Sequence, residues 1–183
     1  NGVVVDRRGE ILESFDLKIK KIVGESLPQM LELVKQLNIR ASRVFITEYP
    51  NALFGIPKDE KTGIARQSRG CGVFETSIGP FLNFRILEPE AELIAEMGRM
   101  LNSAISNWAS THGIIYVSGI ASAFAEHGYC APISYFRGAE ESCQMQGNFD
   151  GTMHPNENGS AVYGRAIANA IRPHLSEVPR TKP

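Results

Sequence analysis

Two short apolar runs, Val44-Phe45-Ile46 and Ile114-Ile115-Tyr116-Val117, constrain this chain more than any other feature. The first ends at Tyr49-Pro50 and the second begins after Gly113, so each reads as a strand buried on both faces of a parallel sheet. Between them lies a clear helical stripe. Pro89 opens it, and Ile94, Met97, Leu101, Ile105 and Trp108 advance by three or four residues, with Gly113 placed to cap the C-terminal end. Ahead of the first strand, Leu27, Met30, Leu31, Val34 and Leu37 also recur at helical spacing, with Ser26 as candidate N-cap and Asn38 near the end. Helix, strand, helix, strand implies right-handed parallel crossovers in a layered α/β fold.

The rest of the chain gives weaker signals. Val3-Val4-Val5 and Ile11-Leu12 are β-prone runs broken by Asp6-Arg7-Arg8-Gly9, and the sheet is expected either to gain extra strands from residues 1–17 or to be completed by a missing partner segment. Asn51 to Pro80 is long, rich in Gly and Pro and mixed in charge, as an extended, lid-like loop would be. Ser118 to Thr152 lacks strong periodicity. Tyr163, Ile167, Ala170 and Ile171 then mark a final helix that Pro173 is expected to terminate, followed by a polar, frayed tail at 176–183.

With 183 residues, 43% of them hydrophobic, the chain is expected to form a single domain over 1–183. A net charge of -1 leaves no basic surplus for phosphate backbones, so nucleic acid is excluded as a partner, and Lys18-Ile19-Lys20-Lys21 reads as a solvated helix face. No apolar run approaches the ~18 to 20 residues of a membrane span, and no signal-peptide core opens the chain.

The chemistry concentrates in Asp150-Gly151-Thr152-Met153-His154-Pro155-Asn156. Gly151 can take backbone angles closed to other residues, and Pro155 sets the first helical turn while biasing His154 to extended geometry. A histidine held at such a corner can serve as a general base; it can also be a surface histidine at a helix entry. A base that takes a proton on one ring nitrogen needs an acceptor behind the other. Asp150 is the nearest acid, and a backbone carbonyl between Asn148 and Thr152 competes for the role. Ser118, just past the second strand, lacks the strained elbow of a nucleophile and reads as a structural hydroxyl. His127 reads as a hydrogen-bonded loop histidine, and His112 and His174 as helix C-terminal residues. Asn158-Gly159-Ser160 fits the glycosylation pattern as a weak match. The three cysteines, Cys71, Cys130 and Cys143, lack metal-site spacing, and no cofactor or metal is expected.

From Ser118 to Gly159 the chain resembles the C-terminal half of secreted SGNH (GDSL-type) ester hydrolases. The resemblance is carried by Phe124-Ala125-Glu126-His127-Gly128-Tyr129-Cys130-Ala131, Glu141-Ser142-Cys143, Gln146-Gly147 and Gly151-Thr152-Met153-His154-Pro155-Asn156. Arg43 to Asn51 is similar to the family's fourth strand and following loop. The resemblance implies a three-layer α/β/α sandwich, a small-molecule ester as substrate, His154 as catalytic histidine, a Cys130–Cys143 bridge, and a secreted or extracytoplasmic protein. In the family's pattern the acid stands three residues before the histidine, where this chain has Gly151; Asp150 stands four before. The family's Gly-Asp-Ser, glycine and Gly-x-Asn-Asp blocks are not found here. The chain is therefore expected to be N-terminally truncated, inactive alone, and completed by a preceding segment or another chain. The alternative is a non-catalytic fragment or diverged domain with a binding or assembly role.

Overall fold

The computed structural model describes residues 7–50, 71–72, 85–86 and 88–175. Its elements in chain order are α1 (Arg8–Lys21), a π-helical segment (Ile22–Ser26), α2 (Leu27–Gln36), a 3-10 turn (Ala41–Arg43), β1 (Phe45–Thr47), β2 (Cys71–Gly72), β3 (Arg85–Ile86), α3 (Glu88–Thr111), β4 (Ile115–Val117), α4 (Ile120–Ala123), α5 (Ala139–Gln146) and α6 (Glu157–Leu175). The architecture is mixed α/β.

β1 and β4 pair in parallel, with Phe45 opposite Ile115, Ile46 opposite Tyr116 and Thr47 opposite Val117. Both were legible as strands, and α3 lies between them in sequence as a parallel crossover requires. Side chains alternate across the pair. Val44, Ile46, Ile114 and Tyr116 pack with Leu31 of α2 and Trp108 and Ala109 of α3. Phe45 and Val117 pack on the other side with Ile120, Phe124, Phe136 and the α6 residues Val162, Tyr163, Ala166 and Ile167. Helices thus cover both faces of the pair. The second sheet, β2 with β3, is antiparallel.

Residues 8–17 are helical, not the strands expected of them. Ile11 and Leu12 sit half-buried on α1, whose Ile19 is buried and whose Arg8 pairs with Glu96 of α3. Ion pairs along the helix, Arg7 with Glu10 and Lys20 with Asp16, support a segment with little apolar periodicity. Lys18, Lys20 and Lys21 are exposed, as a solvated face should be. Val3 to Val5 lie outside the described residues.

Ser26 is likewise not an N-cap, because it has helical angles and makes no capping bond. The helix runs through it from Arg8 to Gln36, with the π-helical segment bridging α1 and α2. Pro28 supplies the cause. Proline lacks an N–H and its ring clashes with the carbonyl four residues back, here Gly24, and a wider turn relieves both. The Leu27 N–H accordingly reaches back to the Ile22 carbonyl. Asn38 ends the run at φ 57, as its position suggested.

The α3 stripe is only partly inward. Ile105 and Trp108 are buried, but Ile94 is 41% exposed and Ala91, Leu93 and Ala95 take the inner positions of the first turns. The α2 stripe also splits, with Leu31 buried and Leu37 exposed. Pro173 lies inside α6, which continues to Leu175. A proline this close to a helix end removes a single ladder bond, so the last turn survives it. The long aperiodic stretch holds two short helices, α4 and α5. The loop expected at 51–80 and the tail at 176–183 lie outside the described residues, apart from β2.

Candidate active site

The corner around His154 is built by a β-bridge between two irregular segments. Phe136 and Pro155 bridge in antiparallel fashion. The Arg137 N–H donates to the His154 carbonyl at 2.8 Å, the Met153 N–H to the Arg137 carbonyl at 3.0 Å, and the Asn156 N–H to the Tyr135 carbonyl at 2.9 Å. Asn156 then starts α6. Its Oδ1 accepts the Gly159 N–H at 3.0 Å, the bond of an N-cap, while its Nδ2 donates to the Ser134 carbonyl at 2.9 Å. Position 159 is buried and has room only for glycine, because a Cβ would lie 2.2 Å from the Tyr135 carbonyl oxygen.

The backbone angle expected of Gly151 falls elsewhere. Gly151 does not have positive φ; Met153 does, at 63°, a conformation costly to a residue with a long side chain. Gly151 is needed for space, since a Cβ would come within 3.0 Å of Ser142 Oγ and of Gln146 Nε2.

His154 itself is exposed. It lines a cavity of about 640 Å³ whose wall also includes Tyr49, Pro50, Phe136, Met153, Tyr163 and Ile167. Tyr49 and Pro50 follow the C-terminal end of β1, the side on which parallel α/β sheets place their ligands. Asn102 of α3 fixes that wall by clamping the Tyr49 backbone, accepting its N–H at 2.8 Å and donating to its carbonyl at 2.9 Å. Tyr163 is held by its hydroxyl, which donates to Thr47 Oγ1 at 2.6 Å, with the Glu48 carbonyl 3.2 Å away. Burial, then the Glu48 carboxylate and Tyr163, push the phenol of neighbouring Tyr116 up to about 12. The Glu48 carboxylate also accepts the Ala121 N–H of α4 at 2.9 Å.

Asp150 and His154 are both in the corner but are not brought together. Among the described residues, no hydrogen bond or ion pair joins the Asp150 carboxylate to the imidazole, and both side chains are exposed. The Asp150 N–H instead donates to Asn148 Oδ1 at 3.0 Å. Of the competing carbonyls, that of Asn148 already accepts the Ser142 hydroxyl, that of Phe149 the Thr152 N–H, and that of Gly151 the His154 N–H.

Ser118 is exposed beyond β4 and is not among the described residues lining the cavity. His127 is a bonded loop histidine, its Nδ1 2.9 Å from the Ile133 carbonyl and its ring stacked on Tyr135 at 3.8 Å. His112 Nδ1 lies 2.8 Å from the Trp108 carbonyl at the end of α3, and His174 meets Phe45 edge-on. The bridge expected between Cys130 and Cys143 is not formed: Cys143 is a free, half-buried thiol, and Cys130 is disulfide-bonded elsewhere. The geometry of α5 explains this, since turning Ser142 fully inward carries the next residue roughly 100° around the helix. The side chain of Cys71 lies outside the described set. Among the described residues no cluster could hold a metal ion, and no helix is long and apolar enough to cross a membrane.

Sequence reasoning missed the cavity wall. Tyr163 and Ile167 were legible only as helix-stripe residues, and Tyr49-Pro50 as the end of a strand; their convergence with His154 needs the crossover topology. No family model, curated protein or solved structure matches the chain.

Proposed function

We propose that this chain carries the histidine end of a carboxylic ester hydrolase of SGNH type, acting through an acyl-enzyme. On this reading the mixed α/β architecture is the later part of a three-layer sandwich, and the protein works in a secreted or extracytoplasmic setting. The observation that supports it best is the exposure of His154 on the wall of a largely apolar cavity at the carboxyl end of a parallel strand pair. A cavity of about 640 Å³ is within the ordinary range for small-molecule sites. His154 would take the proton of a serine hydroxyl during acylation, give it to the leaving alcohol, and then activate water for deacylation. The serine and the oxyanion donors come from outside these residues, supplied by a Gly-Asp-Ser segment of the same or another chain.

A second reading, a non-catalytic domain with a binding or assembly role, is favoured by one observation: the imidazole has no orienting partner among the described residues. The two separate in one assay. The 183-residue chain alone should hydrolyse p-nitrophenyl esters no faster than buffer. In a protein that includes the nucleophile segment, His154→Ala should lower kcat by ~10³-fold or more with the fold kept, because the base acts in both half-reactions. Near-normal kcat in that variant would leave only the second reading.

A further inference from the structure

We infer that Ser142 is the positioning residue of the His154 corner: its buried hydroxyl clamps the 148–151 loop to α5 and thereby fixes the direction from which the imidazole leaves the backbone. The relevance of this to catalysis rests on the hydrolase reading above; the geometry does not.

Ser142 is 0% exposed, a fully buried polar side chain. A hydroxyl withdrawn from water must find partners, and this one is used in both directions. It donates to the Asn148 carbonyl at 2.8 Å and accepts the Gly151 N–H at 3.0 Å. Gln146, one turn further along α5, reinforces the arrangement. Its Nε2 donates to Asn148 Oδ1 at 2.7 Å and lies 3.4 Å from the Ser142 oxygen, while Asn148 Oδ1 also accepts the Asp150 N–H. The loop is therefore tied to α5 at Asn148 and Gly151, and Asp150 is bonded within the loop to Asn148. Gly151 passes the constraint on, because its carbonyl accepts the His154 N–H at 3.1 Å.

Packing and torsion agree with this assignment. There is no room between Gly151 and the clamp, since an added Cβ would stand 3.0 Å from Ser142 Oγ. Met153, between Gly151 and His154, holds φ 63. An unfavourable torsion persists only where the structure on both sides over-determines it. Arg137 holds the downstream side through its bonds to Met153 and His154; the Ser142 clamp holds the upstream side. Releasing either lets Met153 relax and swings the histidine.

The test is NMR on the chain itself, with Ser142→Ala as the first variant. Hydrogen exchange at the Gly151 amide should speed up by roughly tenfold, as loss of one buried hydrogen bond predicts, and the His154 ring resonances should broaden or split. Amides of β1 and β4 should keep their protection. Gln146→Ala, at an exposed position, should move Gly151 and His154 in the same sense by less, and it decides the matter if Ser142→Ala fails to fold. Wild-type exchange at Gly151 with unchanged His154 resonances, in Ser142→Ala or in Gln146→Ala if only that folds, overturns the proposal. In the complete hydrolase Ser142→Ala should lower kcat with KM held. An active His154→Ala enzyme would sink the hydrolase reading while leaving the Gly151 result standing.

Discussion

Replacing Gly159 with alanine should destabilise the protein, whereas the same substitution at Gly164, further along the same helix, should stabilise it. At position 159 the new methyl would stand 2.2 Å from the Tyr135 carbonyl oxygen and 3.2 Å from Pro155 Cβ. That oxygen cannot retreat freely, because it accepts the Asn156 N–H at 2.9 Å while the Asn156 side chain binds Ser134 and Gly159. Relief requires the start of α6 to move by about an ångström. Overpacking costs about 1–3 kcal/mol, and one or two strained hydrogen bonds add about 1 kcal/mol each. The helix preference of alanine over glycine returns at most ~1 kcal/mol, less in a first turn. The net loss is about 2–4 kcal/mol, a fall in Tm of roughly 5–15 °C for a chain of this size. At Gly164 nothing lies within 4 Å of the added methyl, so only the gain remains, ~1 kcal/mol and a rise of a few degrees. Thermal melts followed by far-UV circular dichroism suffice. A Gly159→Ala protein melting at or above wild type would refute the close approach of α6 to Tyr135.

Non-reducing peptide mapping of protein from an oxidising compartment should find Cys143 alkylated and Cys130 in a disulfide; a Cys130–Cys143 linked peptide would contradict the packing of α5. The Tyr116 phenol, raised to about 12, contributes stability that is fully present below its unfolded pKa of ~10 and is lost as pH rises through about 12. Denaturation midpoints should therefore fall across that window, and Tyr116→Phe should flatten the fall; equal slopes for both proteins would show that Tyr116 titrates normally. Phe124→Ala removes a ring that is 0% exposed and should lower stability by about 3–5 kcal/mol in urea titrations; a loss below ~1 kcal/mol would mean the ring is not core.

β1, β4, α3 and α6 could be read from the sequence because their burial is written as local pattern. Val44 to Ile46 and Ile114 to Val117 are continuous apolar runs, and α3 and α6 carry apolar residues at helical spacing. α1 could not be read this way. Its sequence from Arg8 to Lys21 buries Ile19 and holds together through ion pairs and a contact with Glu96 that lies far away in the chain. Ser26 misled for a physical reason, since serine is a common N-cap, and here the helix runs through it by widening ahead of Pro28. At the site, His154 was legible as a corner residue, and Asp150 as its neighbour in sequence. Which groups meet was not legible. Ser142 is tied to the corner by bonds that exist only after α5 packs, and the cavity wall joins β1, α6 and the corner from segments separated by about a hundred residues.

The left-handed torsion at Met153 also limits what this position can become as the sequence drifts. Asparagine or glycine would sit there with less torsional cost, yet neither would replace the thioether that packs against Ala91 and Cys130 while lining the cavity. A β-branched residue would fail on the torsion, and a large aromatic would have to displace the wall opposite. Position 153 is thus pinned between two demands that few side chains meet together, and substitutions there should shift the shape of the cavity before they shift the fold.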